Sequence, residues 1–67
     1  MQESNISKII KKYRENKGLS QEKLARLANV SNNTIVNIEA GKQNNPTIET
    51  LKRIAKALNV DVSDLIK

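Results

Sequence analysis

Residues 20–40, SQEKLARLANVSNNTIVNIEA, read as two short helices joined by a turn too tight to be an ordinary loop. Only Asn29 and Val30 separate their apolar patterns. A link that short brings two helices together at a large angle, as in helix-turn-helix units. Ala25 sits where the later helix presses on the earlier one, and a larger side chain would push them apart. Asn29 ends the earlier helix where a left-handed backbone is expected, and Asn tolerates that conformation best after Gly.

The later helix has two unlike faces. At about 100° per residue, Ile35 and Ile38 fall on one side, while Asn33 and Asn37 point almost directly away. Asn32 and Val36 flank them. An asparagine offers a donor and an acceptor together, which matches adenine in the major groove, and Val36 can pack on a thymine methyl. Asparagine is also common on exposed surfaces. A cluster of amides on one helix face just after such a turn favours base reading over plain solvation.

Working outward, helix starts recur with regularity. Ser20, Ser31, Thr47 and Asp61 suit N-caps, where a side-chain oxygen accepts from a first-turn amide. Around them stand the staple pairs Leu19 with Leu24, Val30 with Ile35, Pro46 with Leu51, and Val60 with Leu65. Asn5 is a weaker cap for a first helix. Gly18 and Gly41, the two glycines of the chain, fall where helices should close in a left-handed residue. Pro46 restricts Asn45 and cannot continue a helix. The expectation is an all-α, compact five-helix bundle in a single domain, residues 1–67, with helices at 5–17, 20–28, 31–40, 47–58 and 61–66.

Periodicity assigns the core. Ile6, Ile9, Ile10 and Tyr13 follow one face of the first helix, and Leu51, Ile54, Ala55 and Leu58 one face of the fourth, leaving Lys52, Arg53 and Lys56 outside. Leu24, Leu27 and Ala28 are expected to line the second helix toward the core.

The chain has 67 residues, so about 60% of its unfolded surface is buried on folding and stability is modest. With no Cys and no His, neither disulfides nor a zinc site can reinforce it. Twelve Lys and Arg against seven Asp and Glu give a formal charge of +5, which favours polyanionic partners. The excess is uneven: Lys8, Lys11, Lys12, Arg14, Lys17, Lys23 and Arg26 are opposed over that stretch only by Glu15 and Glu22. No apolar run approaches the roughly 18 residues that span a bilayer, and MQESNISK lacks the pattern of a signal peptide. A cytoplasmic protein with no membrane partner is expected. An enzyme is not: His, Cys, a glycine-rich phosphate loop and an apolar cleft with paired acids are all missing. Cofactors, metals and small-molecule ligands are likewise not expected.

The stretch GLSQEKLARLANVSNNTIVNIEAGKQNNPTIETLKRIAKALNVDVSDLI resembles the helix-turn-helix domain of the Cro/CI-type (XRE family) transcriptional regulators, the lambdoid phage repressor domains among them. The resemblance extends over residues 6–66. Its markers are Gly18 through Gln21, Leu24-Ala25, Val30-Ser31, Ile35, Ile38-Glu39, Gly41-Lys42, Pro46 and Leu51. It implies that Gln21 grips a phosphate, helped by the amides of its helix N-terminus. It places Asn32, Asn33 and Asn37 at base edges, makes Ser31 a cap that also touches the backbone, and assigns Lys42, Gln43, Asn44 and Asn45 to a second backbone-contacting segment. It also implies an ion pair, Arg14 with Glu39, tying the first helix to the third. Two departures stand out. Asn29 occupies a turn position that most often holds Gly, and the reading helix uses Asn where phage relatives often use the longer Gln. The shorter amides call for closer approach, water or DNA shape.

The expected function is therefore a sequence-specific regulator of transcription, more a repressor than an activator, bacterial or phage-encoded. It is expected to bind an inverted-repeat operator in double-stranded DNA as a homodimer. Val62 and Ile66 are the expected dimer interface, since Val60 and Leu65 already dock the last helix. Within this fold, a restriction–modification controller, an antitoxin and the DNA-binding part of a longer regulator stand as alternatives. The end of the chain one residue after the fifth helix weighs against the antitoxin. Outside it stands a single-stranded nucleic-acid or RNA binder, disfavoured because the lone aromatic, Tyr13, is expected in the core.

Overall fold

The computed structural model describes residues 5–43 and 45–66. Among these, the chain forms α1 (Asn5–Asn16), α2 (Gln21–Ala28), α3 (Asn32–Glu39), α4 (Ile48–Leu58) and α5 (Val62–Leu65). Four of the helices begin one residue later than their expected ranges because the capping residue itself is extended. Ser20, Ser31, Thr47 and Asp61 have ψ of 165°, 152°, 160° and 153°. The hydroxyls of the first three accept from Lys23, Thr34 and Thr50 backbone amides at 3.0–3.1 Å. At Asp61 the backbone N–H donates to Asp64 Oδ2, the returning half of a capping box. Asn5, read as a cap, is instead the first residue of α1.

The ends follow one pattern. Gly18, Asn29, Gly41 and Asn59 all have φ between 59° and 77°. After each, the next amide reaches back to close the helix: Leu19 to Arg14, Val30 to Ala25, Lys42 to Asn37 and Val60 to Ala55, all at 2.9–3.1 Å. In three of the four, the apolar residue after the left-handed one (Leu19, Val30, Val60) then packs on the core. The same residue precedes the next N-cap, so stop and start share one side chain.

The core is built from Ile10, Leu24, Ala25, Ala28, Ile35, Ile38, Leu51, Ile54, Ala55, Leu58 and Leu65. Helix α2 packs on α3 and α4, α1 on α3 and α5, and α4 on α5, within 31 × 22 × 22 Å. Ala25, 3% exposed, lets α2 and α3 approach, as its size requires.

Two expectations about the core are corrected. Leu27 is 52% exposed, because about 100° per residue turns it well away from the stripe made by Leu24, Ala25 and Ala28. Helix α1 is rolled so that Ser7 and Ile10 are buried and Arg14 nearly so, leaving Ile6, Ile9 and Tyr13 only half-buried beside them. Tyr13, expected in the core, lines a cavity of about 230 Å³ with Ile9, Lys12, Asn16 and Asp64.

Candidate nucleic-acid interface

Helix α3 is held by its inner face. Ile35 and Ile38 are fully buried, while Asn32 and Asn33 are exposed and Val36 and Asn37 half-buried. The amide face therefore opens to solvent, with its deeper members nearer the scaffold. Ser31 caps the helix, and its Oγ also lies 2.8 Å from the hydroxyl of Thr34. Thr34 is a residue that sequence reasoning did not single out. The Ser-x-x-Thr spacing, repeated in Thr47 and Thr50, was the available signal.

The C-terminal turn of α3 is fixed by charge. Arg14 donates from Nε to Glu39 Oε2 at 2.6 Å and from Nη2 to Glu39 Oε1 at 2.9 Å. Its Nη1 donates to the Leu19 carbonyl at 2.7 Å. Both side chains are withdrawn from water, at 11% and 3% exposure. The hydrogen bonds that Arg14 donates to Glu39 push its guanidinium pKa further up, and the charges of Glu39 and Glu15 add to this against the opposing effect of burial. Arg14 is thus a strut.

Gln21 joins this cluster. Its side-chain N–H donates to Glu39 Oε1 at 3.0 Å, which orients the amide at the first turn of α2. A primary amide carries a second N–H and an acceptor oxygen, so Gln21 keeps hydrogen-bonding capacity beyond this contact. Three helices, α1, α2 and α3, meet on one carboxylate. No local pattern signals the Gln21 contact, since the two residues are 18 apart.

Beyond α3, the amides of Lys42 and Gln43 both donate to the Asn37 carbonyl, at 2.9 and 3.2 Å. This folds the following segment against α3 and leaves the Lys42 and Gln43 side chains exposed. Asn44 lies outside the described residues. The turn has its own clamp: Arg53 of α4, read as a solvent-facing cation, donates from Nη1 to the Asn29 carbonyl at 3.1 Å and from Nη2 to Glu49 at 2.8 Å. A cation at the carbonyl end of α2 also suits the helix dipole. The expected dimer residues lie elsewhere, on and after α5, where Val62 packs partly on the core and Ile66 is 52% exposed.

No helix among the described residues is long and apolar enough to cross a membrane, and no cluster of acidic side chains among them is arranged to hold a metal. A capped pair of helices crossing at a left-handed turn, with an outward amide face, defines a helix-turn-helix DNA-binding fold. Residues 10–65 match the HTH_3 helix-turn-helix family model, and the chain belongs to that family, within the XRE group. It is 38% identical over 61 residues to the transcriptional regulator SinR of Bacillus subtilis, covering 91% of this chain. It spans 55% of SinR's length and 40% of that of the related regulator SlrR. These relatives are regulators rather than enzymes. The solved structure of SinR in complex with DNA superposes with a TM-score of 0.90 at 37% identity, covering 92% of this chain and 98% of that one. The restriction–modification controller C.AhdI of Aeromonas hydrophila gives 0.86 at 28% identity, covering 91% of each.

Proposed function

We propose that this chain is a cytoplasmic, sequence-specific regulator of transcription that binds double-stranded DNA as a two-fold dimer and acts chiefly by repression. Each subunit lays α3 in a major groove, with half-sites about 34–36 Å apart. Asn33 and Asn37 meet base edges, Asn32 and Val36 extend that contact, and the second N–H of Gln21 takes a phosphate at the start of α2. Ser31, Lys42, Gln43 and Asn44 hold the flanking backbone. Val62 and Ile66 join the subunits.

The observation that carries this reading is the support beneath α3. Arg14, Glu39 and Gln21 lock its last turn to two other helices while Asn32 and Asn33 stay open to solvent. A rigid helix with an unpaired amide face serves recognition and does little for a core. The likeness to SinR, solved with DNA bound, supports the same orientation. Competition between a selected duplex and its separate strands tests it, with tighter binding to the duplex expected and preference for single strands contradicting it. Its match to C.AhdI over 91% of both chains favours a second reading within the class, a controller of a restriction–modification operon. A selected operator lying upstream of such an operon would distinguish the two.

A further inference from the structure

Leu27, 52% exposed, joins Ala28, Asn29, Arg53, Lys56 and Ala57 around an open groove of about 490 Å³ between α2 and α4. We propose that this groove docks an acidic amphipathic helix of another protein, with a large apolar side chain seated on Leu27 and Ala57 and carboxylates facing Arg53 and Lys56.

Charge selects the partner. The outer side of α4 exposes Lys52, Arg53 and Lys56, and Glu49, the acid beside them, is already paired with Arg53 at 2.8 Å. Arg53 also covers the Asn29 carbonyl, so the carbonyl end of α2 does not present a bare negative pole to an incoming acid. Held by both contacts, its guanidinium is positioned before binding, which lowers the ordering cost of association.

Apolar lining separates a protein partner from a nucleic acid. Phosphates would satisfy Arg53 and Lys56 but leave Leu27 and Ala57 against water. Bases would need a stacking surface, and the chain's one aromatic, Tyr13, lies on α1. The groove is also clear of the proposed phosphate contact. Leu27 lies about 9 Å along α2 from Gln21 and about 120° around it. The proposal does not rest on the DNA-binding reading, and its test uses no DNA.

The full chain, labelled with ¹⁵N, is titrated with a synthetic alanine-based helical peptide carrying Leu at i and i+4 and Glu at the flanking positions. Amide shifts are expected at Leu27, Ala28, Asn29, Arg53, Lys56 and Ala57. Leu27→Ser should weaken binding about fivefold, as expected for losing roughly half a leucine's burial. Lys56→Glu should weaken it as well while improving binding of the same peptide with Lys in place of Glu. Both positions are exposed, and an unchanged amide spectrum away from the groove verifies that each variant folds. Equal binding of the Glu and Lys peptides, no effect of Leu27→Ser, or shifts centred on another surface would overturn the proposal. So would response of the groove to phosphatidylglycerol-containing vesicles without response to the peptide.

Discussion

Glu39 accepts two hydrogen bonds from Arg14, 2.6 Å from Nε and 2.9 Å from Nη2, and so pins the last turn of α3 to α1. Because its carboxylate also accepts from Gln21, one buried acid sets the position of α3 and orients a residue at the start of α2. Helices α1, α2 and α3 are therefore coupled through a single side chain.

Removing that acid should be costly to stability. Glu39→Ala leaves the guanidinium of Arg14 largely buried without its partner, a loss of about 3–5 kcal/mol. Thermal denaturation should show a fall in Tm of more than about 10 °C for a domain of this size. The double variant Arg14→Met with Glu39→Leu should recover most of that loss. A double variant no more stable than Glu39→Ala would show that the pair's geometry, rather than its charge balance, holds α3.

The pair has a definite pH signature. Arg14 has its pKa raised on folding, so its stabilisation is present below the unfolded value and is lost only as pH rises through the still higher folded one. The stability difference between the native chain and Arg14→Met should therefore stay constant from neutrality to about pH 10. A difference that shrinks over that range would place the shift in the other direction.

Asn29 and Asn59 carry the left-handed turns at φ 59° and 62°. Replacement of either by Ala should cost about 1 kcal/mol, and replacement by Gly should be close to neutral. Urea denaturation of the four single variants measures this. Equal loss from Ala and Gly at Asn29 would mean that its side chain, and not its backbone tolerance, matters there.

Ile66 is exposed, so Ile66→Glu should leave the fold and its Tm nearly unchanged while shifting sedimentation from dimer to monomer. Tightness of DNA binding should fall with the dimer, since paired half-sites raise effective concentration. A variant that still sediments as a dimer would move the interface away from this end of the chain.

Much of this architecture is legible in residues that act locally. Caps at Ser20, Ser31 and Thr47, and the turns at Gly18, Asn29 and Gly41, depend on their own backbone and close neighbours. Asn59 was missed, although Asn59-Val60-Asp61 repeats the logic of Asn29-Val30-Ser31. What escaped is tertiary. Leu27 faces outward because the helix rolls onto Leu24, Ala25 and Ala28, and periodicity alone accommodates either roll. The reach of Gln21 to Glu39, and of Arg53 to the Asn29 carbonyl, follows from how three helices cross, which no spacing encodes. The outward turn of Asn33 was legible because Ile35 and Ile38 leave α3 one orientation.

In the proposed division of labour, α3 reads bases while Gln21 grips backbone. Selection of binding sites from a random duplex library, run in parallel on the native chain, Asn33→Ala and Gln21→Ala, separates the two roles. Asn33→Ala should relax or change the preference at one position per half-site, a loss of about 1–3 kcal/mol against the native site alone. Gln21→Ala should select the same sequence as the native chain and bind every duplex more weakly by a similar factor. If the two variants keep the native preference and lose affinity uniformly, α3 does not read sequence and the account is wrong.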